Sequence, residues 1–129
     1  MSEENQYLVL CSLFAELQTI NWLVPWWCFI LEAAAFGQSL ERQFRLELGS
    51  GHELFDTCQN YRAIAKREDC DDVLFFLPDA TKPYALVHLT WGSKFSDSPT
   101  WPQFIQFNDL QEFNLRVLLP VYKEFNDYG

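Results

Sequence analysis

The chain is poor in the residues that supply ready-made chemistry. Its 129 residues hold two histidines, His52 and His88, and four cysteines, Cys11, Cys28, Cys58 and Cys70. No two cysteines form a C-x-x-C pair, and the His and Cys spacings match no zinc framework. No G-x-S-x-G elbow, H-E-x-x-H helix or dinucleotide fingerprint occurs. The Gly-Ser-Gly of 49-GSGHELFD-56 lacks the lysine of a phosphate loop and reads as a helix stop and turn. Neither a metal nor a cofactor is therefore expected, and no residue qualifies as catalytic.

Positive charge is equally scarce. Nine Lys and Arg stand against 18 Asp and Glu, for a net charge of −9. Phosphate backbones and anionic lipids repel such a surface, which argues against nucleic-acid binding. A basic protein is the partner that it attracts and steers. The longest uncharged run, 17-LQTINWLVPWWCFIL-31, is broken by Gln18, Thr19, Asn21 and Pro25. It falls short of the roughly 20 apolar residues of a membrane span. Trp22, Trp26 and Trp27 within it are expected in the core, with an exposed interface patch as the other reading. The N-terminus, MSEENQ, is acidic, unlike the basic start of a secretory leader. A cytoplasmic protein with reduced thiols is expected.

What the chain does have is apolar and aromatic bulk. Hydrophobic residues make up 49% and aromatics 17%, including 12 Phe, 5 Trp and 5 Tyr. That suffices for one domain, residues 1–129, with a real core. Residues 2–18 read as a helix with Ser2 as cap and Tyr7, Leu10, Phe14 and Leu17 at helical spacing. A second helix is predicted from Trp27 to Leu48, with Gly37 able to kink it and Gly49 to stop it. The period then changes. 63-AIAKRE-68, 73-VLFFL-77, 84-YALVHLTW-91 and 104-FIQF-107 read as strands, the middle two joined as a hairpin by turn residues 78–83. Asn108 or Asp109 caps a final helix that Pro120 should bend. The predicted class is α+β: N-terminal helices, a three- to four-stranded antiparallel meander and a C-terminal helix. A strand in 7-YLVLC-11 is the variant of that plan.

Three features carry candidate function. Alternation places Tyr84, Leu86 and His88 on one strand face, opposite Ala85, Val87 and Leu89. His88 is either a base or ligand in a Trp/Tyr-lined pocket with Tyr84, or a hydrogen-bonded histidine of the sheet. A Cys–His nucleophile would need Cys58 or Cys70 beside His88 or His52. The acids Glu68, Asp69, Asp71 and Asp72 crowd 68-EDCDD-72, as a solvated turn or an acidic docking edge. The loop after Gly92 carries Phe95 and Trp101, aromatics of the kind that anchor a protein contact.

Residues 49–113, with GHELF, RAIAKR, DDVLFFLPD, YALVHLTW and the pair Trp101-Pro102 in order, resemble a group of small bacterial cytosolic proteins. Proteins of this kind travel on mobile elements, as integron-cassette or toxin-immunity cargo. The resemblance covers about half of the chain and brings no catalytic residues. It implies an immunity-type inhibitor or accessory protein. The expectation is thus a non-enzymatic protein-binding domain that touches its partner through Glu68, Asp69, Asp71, Asp72, Phe95 and Trp101. The alternative is a small-ligand-binding domain or minor enzyme around Tyr84 and His88. A homodimer would also cover the aromatic excess.

Overall fold

The computed structural model describes residues 11–30, 32–57, 60–92 and 99–128. Residues 11–17 form helix α1. The chain continues through β1 (Trp26–Cys28), α2 (Ala34–Glu47), a 3-10 turn (Phe55–Thr57), β2 (Arg62–Arg67), β3 (Asp72–Phe76), β4 (Tyr84–His88) and β5 (Phe104–Phe107). It ends in α3 (Leu110–Phe113), a π-helical turn (Asn114–Leu118) and α4 (Leu119–Tyr128). Ser2, Tyr7 and Leu10, and the variant strand 7–11, lie outside the described residues.

The class is α+β, as predicted, but the sheet has five strands instead of three or four. They pair antiparallel in chain order, β1-β2-β3-β4-β5. The added strand corrects the second helix, which begins at Ala34 and not at Trp27. Trp26 and Trp27 are aromatic and follow Pro25, and such residues suit a pleated edge better than a first helical turn. The free edge of β2 takes them: Trp26 pairs with Arg67 and Cys28 with Ala65. Two further bonds extend the ladder, from Glu68 N to Pro25 O (2.7 Å) and from Phe29 N to Ile64 O (3.2 Å). Gly37 therefore sits in the first turn of α2 and kinks nothing. A Cβ there would lie 3.1 Å from the Phe29 ring, so the missing side chain lets α2 approach.

Both faces of the sheet are covered, which makes three layers. On one face α1 and the C-terminal helices bury Leu13, Leu17, Trp26, Leu74, Leu86, Phe107, Phe113 and Leu118. On the other, α2 and the segment after it bury Phe29, Leu40, Phe44, Leu54, Val73, Phe75, Val87 and Leu89. Each such side chain contributes roughly 1.5–3 kcal/mol by leaving water. A β-bulge between Ala63 and Ala65 turns Ile64 and Ala65 to the same cluster while Ala63 serves the other.

The last helix is capped as the sequence predicts. Asp109 Oδ1 accepts from Glu112 N at 2.8 Å, and Glu112 Oε1 accepts from Asn108 N at 2.7 Å. The predicted effect of Pro120 takes the form of the π-helical turn before it. Proline donates no backbone hydrogen bond and crowds the carbonyl four residues back, so the helix widens there.

Candidate functional site

One end of the sheet gathers most of the candidate residues. Register in the β3–β4 hairpin places Asp72 opposite His88, with Val73 opposite Val87 and Phe76 opposite Tyr84. His88 Nδ1 and Asp72 Oδ1 are 2.7 Å apart. The carboxylate is an acceptor, so Nδ1 carries the proton of this bond. The next strand continues the row, where His88 N donates to Gln103 O at 2.9 Å.

Helical cover stops short of this row. A cleft of about 780 Å³ opens there, lined by Glu53, Asp72, Leu86, His88, Thr100, Gln103, Phe104 and Ile105. Its floor is the apolar strand surface of the cross-strand pair Leu86 and Ile105; Ile105 is 48% exposed. Tyr84 does not share it. That side chain is buried at the other end of β4 and lines a separate cavity of about 460 Å³ with Leu13, Glu16, Phe76 and Asp109. There the Tyr84 hydroxyl donates to Glu16 Oε2 at 2.6 Å.

The acidic turn is knitted into the fold. Arg67 grips Asp69 with two bonds, Nε to Oδ1 at 2.9 Å and Nη2 to Oδ2 at 2.7 Å. That guanidinium holds the Asp69 carboxyl below its usual range. Lys66 Nζ donates to the carbonyls of Arg67 and Cys70 and closes the turn. Asp71 Oδ1 accepts from the Trp91 indole Nε1 at 3.0 Å. Glu68 stands exposed at the tip.

Trp91 was not among the expected contact residues, and its setting is unusual. It is 50% exposed, with φ at 58°, in the left-handed region. For a bulky residue that conformation costs about 1–2 kcal/mol. Glu47, at the end of α2 and 3% exposed, enforces it. Its Oε1 accepts from Thr90 N (2.8 Å) and Thr90 Oγ1 (2.7 Å), and its Oε2 from Trp91 N (3.0 Å) and Gln43 Nε2 (2.8 Å). A buried carboxylate with four donors is satisfied. The sequence signal was available, since a glutamate on the inner face of an amphipathic helix must find donors.

The other candidates separate. His52 is buried: Nδ1 accepts from Leu54 N at 3.0 Å, and Nε2 therefore donates to Pro102 O, also at 3.0 Å. This ring ties the turn after α2 to Pro102, next in sequence to the lining residue Gln103. The Cys70 thiol is pushed up by its own burial, with the Asp72 and Asp69 charges adding to this, which is the reverse of an activated nucleophile. Burial also raises Cys28, to about 11. Trp101 is exposed and lies between the lining residues Thr100 and Gln103 in sequence. Trp26 is core, Trp22 and Trp27 pack against the two clusters, and Phe95 and Cys58 lie outside the described residues. Among the described residues, no three His, Cys, Asp or Glu side chains gather as a metal site, and no helix is long and apolar enough to cross a membrane.

The fold and this site define a class: a three-layer α+β domain with a cleft at one end of its sheet that two carboxylates and a histidine line. Compared with protein-family models, curated proteins and solved structures, the chain matches none.

Proposed function

We propose that the protein works by binding another protein, and that the contacting surface of the partner is basic. The observation that carries this reading is Trp91. An exposed indole held in a strained backbone conformation by a buried glutamate, with Asp71 on its N–H, is a rigid anchor with a carboxylate at its edge. Rigid aromatics bind at low entropic cost, and interface energy concentrates on them. Glu68 and Asp69 lie on the same turn as Asp71, and exposed Trp101 follows Thr100 on the cleft wall. The net charge of −9 steers a basic surface toward this end. An immunity-type inhibitor or accessory protein is the role that fits, with the partner neutralised by capture.

The test is capture from lysate, identification of the partner, and titration with variants. Trp91→Ala and the charge reversal Asp71→Lys should each weaken binding at least tenfold and leave the fold intact by circular dichroism. A partner that binds the Trp91→Ala/Asp71→Lys double variant as tightly as the parent would sink the reading. A dimer in sedimentation velocity that Trp91→Ala dissociates would reassign the surface to a second copy of the chain.

The Asp72–His88 pair favours a second reading, a small-ligand or acid–base site in the cleft, because a carboxylate-oriented imidazole is the usual proton-transfer group. Among the described residues its lining holds no thiol, and the imidazole is half-exposed.

A further inference from the structure

We propose that the cleft beside His88 and Asp72 is a subsite for one arginine side chain of the partner. This inference rests on the protein-binding reading above and names what the cleft takes.

The cleft walls present acceptors, and its floor is apolar. Asp72 uses Oδ1 for His88, and its Oδ2 accepts no hydrogen bond among the described residues. Glu53, exposed on the opposite wall, has no side-chain partner among them. His88, half-exposed, sets its ring beside Asp72 on the same wall. Gln103 and Thr100 add polar atoms between these groups. Guanidinium carries five N–H donors in a planar fork and no acceptor, which is the complement of this set. An ammonium group is a compact point charge and cannot span the same acceptors. Leu86 and Ile105, cross-strand partners on one face, form a floor on which the three-carbon stem can lie. The half-exposed Ile105 is otherwise an unexplained apolar residue on the surface.

His88 places a planar ring edge on the cleft wall. Two carboxylates face it, Asp72 from β3 and Glu53 from the segment after α2. Arg67 on β2 stands behind Asp72, held by Asp69. The lining residues on β5 and in the segment before it, Thr100 and Gln103, carry no charge.

The test uses the isotope-labelled full chain and three blocked peptides of Gly-X repeats, with X as arginine, lysine or citrulline, followed by NMR titration. The arginine peptide should shift the amides of residues 86–88 and 103–105 and saturate. The lysine peptide should bind at least fivefold more weakly, and the citrulline peptide should give no saturable shift. His88→Lys, Glu53→Gln and Ile105→Ser, all at exposed positions, should each weaken the arginine peptide at least fivefold while the amide spectrum keeps its native dispersion. Glu124→Gln on α4 should change nothing. Equal binding of arginine and lysine peptides would overturn the subsite. So would shifts confined to residues 68–72 and Trp91, although these would leave the protein-binding reading standing. No shift with any peptide, together with no loss of the captured partner in the Trp91 and Asp71 variants, would overturn both.

Discussion

Tyr84 shows how one buried hydroxyl couples packing to pH. Its O–H donates to Glu16 Oε2 at 2.6 Å, while Glu16 Oε1 accepts from Leu110 N at 3.0 Å. One carboxylate thus joins α1, β4 and the start of α3. Burial, then the hydrogen bond and the charge of Glu16, then Asp109, push the phenol far above its ordinary value. The folded state therefore holds this proton more tightly than the unfolded chain does. The resulting stability is fully present below about pH 10, the ordinary tyrosine value, and is lost as the pH rises beyond it. Urea midpoints should fall above about pH 10 in the parent. Tyr84→Phe should cost about 1 kcal/mol at neutral pH and flatten that alkaline fall. An equally steep fall in the variant would assign it to another group.

At the level of elements, Glu47 is the tie between the end of α2 and the chain leaving β4. Glu47→Ala would strand the N–H groups of Thr90 and Trp91, so it should cost on the order of 3 kcal/mol. The change should show in a denaturant midpoint and as a red shift of tryptophan emission. Unchanged stability would mean that water replaces the carboxylate. The other elements explain why the sequence was only partly legible. The β3–β4 hairpin was readable, since 73-VLFFL-77 and 84-YALVHLTW-91 flank a run of turn residues. The C-terminal cap was also readable, because Asp109 and Glu112 signal locally. β1 was not, because three residues that pair with a strand some 40 positions away carry no local mark. Nor did alternation settle the cover of the central strands, which are buried on both faces. The partner of His88 was nearer to hand than spacing along the chain suggested. Folding the hairpin about its turn brings Asp72 opposite His88, a register that the turn length implies. The Tyr84–His88 pairing failed as a pocket for a related reason: residues on one strand face can still lie beneath different covers.

For the whole molecule, helices on both sheet faces leave the sheet ends as the places where strand residues meet solvent, and charge acts at this scale. An excess of nine negative charges repels itself in the folded state and attracts a basic partner in solution. Both effects weaken as the screening length shrinks, from about 10 Å at 0.1 M salt to about 3 Å at 1 M. They have opposite consequences. Raising NaCl from about 20 mM to about 500 mM should raise the urea midpoint, since screening relieves repulsion within the fold. The same change should slow association with the captured partner at least tenfold, since steering is lost while the docked contacts remain. Dissociation should respond much less, because Trp91 and the cleft floor act by burial rather than by charge. Stopped-flow association and dissociation, measured with the denaturation curve across the same salt series, separate the three quantities. An association rate insensitive to salt, beside a midpoint that rises, would show that the acidic turn does not steer the encounter. Recognition would then reside in the aromatic and apolar contacts alone.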